Sequence, residues 1–177
     1  MNSNPVFTRP ERPSDAAAID ALQWAAFGPG AYVRAAFRVR EQAPHDPALS
    51  FVTEMDGVPI GSARLTPIAV GERHGHLLGP LVVDPAFAGL GHGKALVRHA
   101  LAEAKRSGTA FVILVGDASY YAPLGFSRRA PPGVKMPGPV DPARLLVAEL
   151  TPGAADRLSG SITGIRPGKR LEQQATV

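Results

Sequence analysis

The chain has 177 residues, contains no cysteine and carries a formal net charge of +4 at pH 7. This length fits a single domain, and the lack of cysteine excludes disulfides, thiolate metal sites and a cysteine nucleophile. No apolar run is long enough to cross a bilayer, the N-terminus lacks the apolar core of a signal peptide, and Lys and Arg are not interleaved with aromatic residues. We therefore expect a cytoplasmic protein with no membrane or nucleic-acid partner and with an anionic small molecule as ligand.

The first half of the chain predicts one strand and two helices before a run of strands. A short strand at residues 7–9 precedes a helix over residues 16–27, for which Ser14 and Asp15 provide an N-cap. A second helix is predicted at 32–40. Three strands joined by tight turns follow at residues 49–55, 59–70 and 74–83. Successive strands with such turns favour an antiparallel meander.

The pattern changes after residue 83 to a glycine-rich turn, a helix at 94–106 and an uninterrupted apolar strand at 109–115. Such a strand–helix–strand unit is expected to be a right-handed parallel crossover. Further predicted elements are a short helix near Ala118, an extended loop over 131–142 and a last strand at 143–150. We predict one domain over residues 1–150 and a tail over 151–177 that is partly ordered or wraps the surface.

Three glycines, Gly89, Gly91 and Gly93, lie between the third strand of the meander and the helix. Glycine permits positive φ and close backbone approach, and the unpaired amides of a helix's first turn favour an anion such as phosphate. A Walker loop does not fit, because Ala88 and Ala95 occupy positions that require glycine and a hydroxyl residue. A Rossmann fingerprint does not fit either, because Gly89 comes only at the sixth residue after the end of the strand at Val83.

A third option is the pyrophosphate of coenzyme A, which a family resemblance supports. The segment from Val83 to Leu96 resembles the acetyl-CoA signature of the GNAT superfamily of N-acetyltransferases, a Q/R-x-x-G-x-G/A pattern that opens a helix. Gly91 and Gly93 match the two glycine positions. Ala88 stands where the superfamily usually has a long polar side chain, so the backbone amides of the loop remain as the expected contacts.

A second motif supports the same resemblance. Residues 116–126 are similar to the Y-x-x-x-G-F segment of the superfamily, with Tyr121, Gly125 and Phe126 in place, and the doubled tyrosine is similar to its YhbS-like branch. The likeness extends over about residues 7–150. It implies a mixed α/β fold, in which a mostly antiparallel central sheet is flanked by helices and a parallel strand–helix–strand unit binds the cofactor.

The resemblance implies an N-acetyltransferase that moves the acetyl group of acetyl-CoA to a primary amine by direct attack on the thioester, without metal. The acceptor is a small molecule or a protein amine, and the chain is a monomer or a homodimer. The implied cofactor-binding residues are Leu81, Val82, Val83, Ala88, Gly89, Leu90, Gly91, His92, Gly93 and Lys94. The alternative is a non-catalytic CoA-binding or regulatory protein with the same fold.

The resemblance also implies that residues 81–83 splay from the strand at 109–115 to admit the pantetheine arm, with a bulge at Gly79–Pro80 opening the gap. A backbone amide of Val82 or Val83 polarises the thioester. Tyr121 is the candidate acid for the leaving thiolate.

The sequence does not identify a single general base. The strand at 74–83 has no carboxylate, so His76 is the candidate, with Glu41 and Glu54 as unranked alternatives. His74 and His76 lie on one strand face, and a solvent-facing pair is the favoured interpretation over a metal site or a base. Trp24, Phe27 and Phe37 either line the acceptor pocket or pack in the core, and core packing is favoured.

Overall fold

The computed structural model describes residues 5–33 and 35–166, without the side chains of residues 31–33. Within these ranges the chain forms nine strands and four α-helices. The strands are β1 (Val6–Pro10), β2 (Phe51–Met55), β3 (Val58–Val70), β4 (Arg73–Val83), β5 (Phe111–Val115), β6 (Arg128–Arg129), β7 (Val134–Lys135), β8 (Leu145–Glu149) and β9 (Gly160–Gly164). The helices are α1 (Ala16–Phe27), α2 (Ala35–Gln42), α3 (His92–Arg106) and α4 (Ala118–Tyr121).

The strands form a mixed sheet in the order β1-β2-β3-β4-β5-β8-β6. Neighbours from β1 to β4 are antiparallel, β4 and β5 are parallel across α3, and β5, β8 and β6 are again antiparallel. This arrangement confirms the predicted fold class, including the parallel strand–helix–strand unit. None of the helices in the described ranges is long and apolar enough to cross a membrane.

Each face of the sheet has its own hydrophobic core. The apolar face of α3, with Leu96, Val97 and Ala100, packs on one side against alternate residues of β3, β4 and β5. The opposite face is covered by Val39 of α2 and by residues near the C-terminal end, including Leu158. The two cores cover both faces of the sheet at the point where β4 and β5 meet.

The sheet continues past residue 150. Strand β9 pairs with the second half of β3, from Ile68 opposite Gly164 to Val70 opposite Ile162. Ala155 and Ile162 are fully buried. The apolar residues here are too widely spaced for a periodic pattern, so the sequence predicts a tail where the structure has a strand that pairs with both β3 and β7. Residues 167–177 of the predicted tail lie outside the described residues.

The start of α1 differs from the predicted N-cap. Asp15 ends a 3-10 turn that precedes the helix, and its carboxylate accepts a hydrogen bond from the Arg12 N–H at 2.7 Å rather than from the helix. The Arg9 guanidinium also donates two hydrogen bonds to Asp15, at 2.7 and 2.9 Å. The carboxylate therefore ties the end of β1 to α1, because a buried arginine competes for the oxygens that a cap needs.

Candidate functional site

The central feature of the site is a gap between β4 and β5. These strands pair only at His76 with Val112 and at Leu77 with Ile113, although β4 continues to Val83. One edge of β4 pairs with β3 as far as Val83, and beyond Leu77 no described strand pairs with the other edge. Alternate N–H and C=O groups of that edge therefore face the gap, as an added strand requires.

A β-bulge lies at the start of this gap. Ala63 is opposite Leu81 and Leu65 is opposite Leu78, so that Gly79 and Pro80 together face the single residue Arg64. The extra residue bends β4 away from the line of β5. The predicted bulge at Gly79–Pro80 is confirmed.

At one end of the gap, the glycine-rich turn leads into the N-terminus of α3. Asp84 caps the 3-10 turn that follows β4 by accepting from the Ala86 N–H at 2.9 Å. Gly89 and Gly91 have φ values of +77° and +89°, which only glycine adopts without strain. No side chain caps α3 in the described part of the chain. The amides of His92, Gly93 and Lys94 are thus left for an external anion.

At Gly93, glycine is required by steric crowding and not by a positive φ. It is buried at the first turn of α3, where an added Cβ would lie 2.8 Å from the hydroxyl oxygen of Tyr120. The Lys94 ammonium lies 5.8 Å from the centre of the Tyr120 ring. Tyr120 of α4 therefore contacts the N-terminus of α3, a role that the sequence analysis did not predict.

Tyr121 lies beside this arrangement, at the end of α4, which follows the other strand of the gap, β5. Its ring packs edge-on against Tyr120 and Phe126, at centroid distances of 4.8 and 6.0 Å. A Cβ at Gly116, directly after β5, would overlap the Tyr121 ring. Burial, with a smaller contribution from Tyr120, raises the pKa of Tyr121 to about 12, although Arg144 opposes this rise. The phenol is therefore protonated at neutral pH.

The gap opens into a cleft of about 1380 Å³ between the sheet and helices α1 and α2. Leu78 to Leu81 of β4 and Leu114 to Gly116 at the end of β5 form one wall, with Tyr120 and Tyr121 beside them. Trp24, Phe27 and Phe37 line the helical side. The favoured expectation of core packing for these aromatic residues is corrected, since Trp24 is 61% exposed and all three border the cleft.

The predicted base candidates do not line this cleft. His76 is buried on the α3 face of the sheet, 3% exposed, with Nδ1 3.1 Å from the Thr109 hydroxyl and Nε2 3.6 Å from an Asp46 oxygen. His74 is exposed, so the two histidines are not the solvent-facing pair that their spacing favours. Of the two histidines, only His76 lies opposite β5 and is buried.

The two glutamate alternatives also lie elsewhere. Glu54 accepts a hydrogen bond from Arg9 at 2.5 Å, and Glu41 is exposed on α2. Neither side chain borders the cleft.

A buried ionic cluster that sequence reasoning missed forms part of the cleft wall. Arg64 of β3 donates two hydrogen bonds to Glu11, at 2.9 and 2.6 Å. The Nε2 atom of His45 lies 3.4 Å from a Glu11 oxygen. His45 and Arg64 both line the cleft. No local motif signals this cluster, because its three members are far apart in the chain.

Comparison with known proteins identifies the class. The sequence profile of the acetyltransferase (GNAT) family matches residues 16–126, and the chain belongs to that family. The match covers α1, the splayed strands, the glycine turn and the Tyr121 segment. The predicted superfamily and its acetyltransferase class are thereby confirmed.

Individual relatives agree with this assignment. The uncharacterized N-acetyltransferase YjhQ of Escherichia coli is 31% identical over 117 residues, which cover 64% of this chain and 65% of that protein. The structure of the GNAT protein YhbS of E. coli in complex with CoA has a TM-score of 0.76 at 26% identity, over 93% and 92% of the two chains. A GNAT acetyltransferase of Brucella melitensis in complex with acetyl-CoA has a TM-score of 0.66 at 29% identity, over 91% and 96%.

Proposed function

We propose that the chain transfers the acetyl group of acetyl-CoA to a primary amine, carried by a small molecule or a protein, through direct attack of the amine on the thioester. The observation that carries this proposal is the gap between β4 and β5. It runs from an uncapped helix N-terminus into a cleft that Tyr121 lines. One continuous path thus offers an anion site, an unpaired strand edge and a proton donor.

The residues around the gap fit the parts of acetyl-CoA. The open turn from Ala88 to Gly91 and the amides of His92 to Lys94 suit a pyrophosphate. The unpaired edge of β4 over Leu81 to Val83 suits the amide groups of pantetheine, which bond like those of an added strand. The two similar structures named above hold CoA or acetyl-CoA, which supports acetyl-CoA as co-substrate here.

The proposed chemistry needs three contributions from the protein. A backbone N–H of β4, from Val82 or Val83, stabilises the negative charge that develops on the thioester oxygen. A base removes a proton from the acceptor ammonium, and the neutral amine forms the new C–N bond as the C–S bond breaks. Tyr121 gives its proton to the leaving sulfur, and the second proton, which the nitrogen loses as the amide forms, restores the phenol.

The first experiment is a pair of measurements on the wild-type protein. Acetyl-CoA at about 100 times its Kd should add about 2.7 kcal/mol of stability, which raises Tm by roughly 5–10 °C at this chain length; NAD and ATP serve as controls. Thiol release from acetyl-CoA is then followed with a panel of primary amines. A thiol reagent reports free CoA without background, because the chain has no cysteine.

A variant at Gly91 tests acetyl-CoA binding separately from transfer. A valine at Gly91 should abolish the acetyl-CoA shift, because its φ of +89° disfavours a β-branched residue. A shift with NAD or ATP instead of acetyl-CoA would contradict the proposal. A wild-type protein that binds acetyl-CoA and acetylates no amine would point to a non-catalytic CoA-binding protein.

A further inference from the structure

The cleft wall opposite Tyr121 carries a histidine backed by a buried carboxylate. The side chain of His45 is 31% exposed toward the cleft, whereas that of Glu11 is only 7% exposed. Burial alone would raise the pKa of Glu11, but its contacts with His45 and Arg64 lower it to about 2. Glu11 is therefore ionised at every pH at which the protein works, and it presents a fixed negative charge to the imidazole.

The segment that carries His45 is held against the sheet. The Asp46 N–H donates to the Leu65 carbonyl of β3 at 2.7 Å. Asp46 also accepts at its side chain from the Ala48 N–H and at its carbonyl from the Ser50 hydroxyl, at 3.0 and 2.7 Å. His45 thus has a defined place beside β3, about two strand spacings or roughly 10 Å from β4. An imidazole and one bridging water span such a distance.

Two polar atoms near this wall indicate that a polar ligand binds there. The hydroxyl of Thr66 on β3 and the side-chain nitrogen of Gln23 on α1 are shielded from solvent, and neither has a hydrogen-bond partner in the described part of the chain. Both residues line the cleft. Buried polar groups without partners are costly, so an acceptor that hydrogen-bonds to them would gain affinity.

Two of the three carboxylates that line the cleft in the described part of the chain are engaged as caps, and the third, Asp20, is exposed on α1. Asp117 and Asp141 each use an oxygen to cap the turn that follows, accepting from the N–H of Ser119 at 3.0 Å and of Ala143 at 2.9 Å. The hydrogen bonds from Ser119 also lower the pKa of Asp117. Asp117 is thus a poorer base than a carboxylate without such hydrogen bonds.

We propose that His45, oriented by Glu11 and Arg64, is the general base for the acceptor amine; this assignment rests on the proposed function. Because Nε2 faces the carboxylate, the neutral ring keeps its hydrogen there and leaves Nδ1 to accept a proton. Nδ1 takes one proton from the acceptor ammonium, directly or through one water, and the neutral amine attacks the thioester. The charged groups around His45 are its neighbour Asp46, Glu11, Arg64 of β3, and across the cleft Asp20 of α1 and Arg40 of α2.

The test compares two acceptors that differ in their need for a base. Benzylamine is protonated at neutral pH and has to lose a proton, whereas hydroxylamine is a much weaker base and is already largely neutral. His45→Ala should lower kcat/KM for benzylamine by about 10²-fold and leave hydroxylamine acetylation nearly unchanged. Imidazole added to the buffer should restore part of the benzylamine rate, because the site is open to the cleft.

The matched control is His74→Ala, which removes an exposed histidine outside the cleft and should change neither rate. Glu11→Gln should give a smaller loss confined to benzylamine, with Tm measured to verify that the variant is folded. Equal losses for both amines in His45→Ala, or no loss for benzylamine, would overturn the assignment. A wild-type protein that releases no thiol with any amine would instead overturn the proposed function.

Discussion

Tyr121 is the residue on which the proposed transfer depends most directly. Replacing it by phenylalanine keeps the edge-on packing against Tyr120 and Phe126 but removes the proton donor. We expect kcat to fall by ~10²–10⁴-fold while the Kd for acetyl-CoA changes little. Steady-state kinetics and calorimetric titration of acetyl-CoA measure the two effects separately.

The same residue predicts a pH dependence. Because burial raises the pKa of Tyr121 to about 12, the phenol keeps its proton throughout the neutral and mildly alkaline range. The ratio of wild-type to Tyr121→Phe turnover should therefore stay constant between about pH 7 and pH 10. A ratio that collapses near pH 9 would mean that the phenol loses its proton there and that burial does not raise its pKa. Tyr120→Phe is the companion variant and should alter acetyl-CoA affinity rather than kcat, since Tyr120 lies over Gly93.

At the scale of elements, Gly75 determines how closely β4 and β5 approach before they separate. An added Cβ would lie 2.5 Å from a ring carbon of Phe111 and 2.7 Å from its carbonyl oxygen. Phe111 is 1% exposed, so the ring has little room to move. The small residue therefore fixes the contact from which the gap opens.

Gly75→Ala should destabilise the protein by ~1–3 kcal/mol, the usual range for overpacking a core. The midpoint of urea unfolding measures this loss. Gly30→Ala is the control, because no atom lies within 4 Å of its added Cβ, and it should leave the midpoint nearly unchanged. Equal midpoints for the two variants would show that β4 and β5 tolerate a wider spacing.

Several elements follow from the sequence because their determinants are local. The helix over residues 16–27 and the run of antiparallel strands arise from periodicity and turn residues, and the glycine turn with Tyr121 is readable from motifs. Strand β9 cannot be predicted from local sequence, because its stability comes from Ile162, which packs into a core formed by distant elements. The cluster of Glu11, His45 and Arg64 is hidden for the same reason, since only the folded sheet brings these residues together.

At the scale of the whole molecule, two ionic clusters join the N-terminal segment to the sheet. Arg9 binds Asp15 and Glu54, and Arg64 binds Glu11. Hydrogen bonds from Arg9, despite opposing desolvation, lower the pKa of Asp15. Both clusters hold the start of α1 over the cleft, and both need ionised carboxylates.

Acid should therefore weaken the fold through these carboxylates. The pKa of Glu11 falls from an ordinary 4.5 to about 2 on folding, so its contribution is complete above about pH 5 and is lost as the pH drops toward 2. A shift of this size corresponds to at most about 3 to 4 kcal/mol, and screening by solvent lowers the contribution further. The difference in unfolding free energy between wild type and Glu11→Gln, measured in urea from pH 7 to pH 2, should stay constant to about pH 5 and then shrink. The control is Glu72→Gln, in the exposed turn between β3 and β4, which should give a small difference in unfolding free energy that does not vary with pH. If the difference for Glu11→Gln is equally independent of pH, Glu11 does not stabilise the fold through its charge.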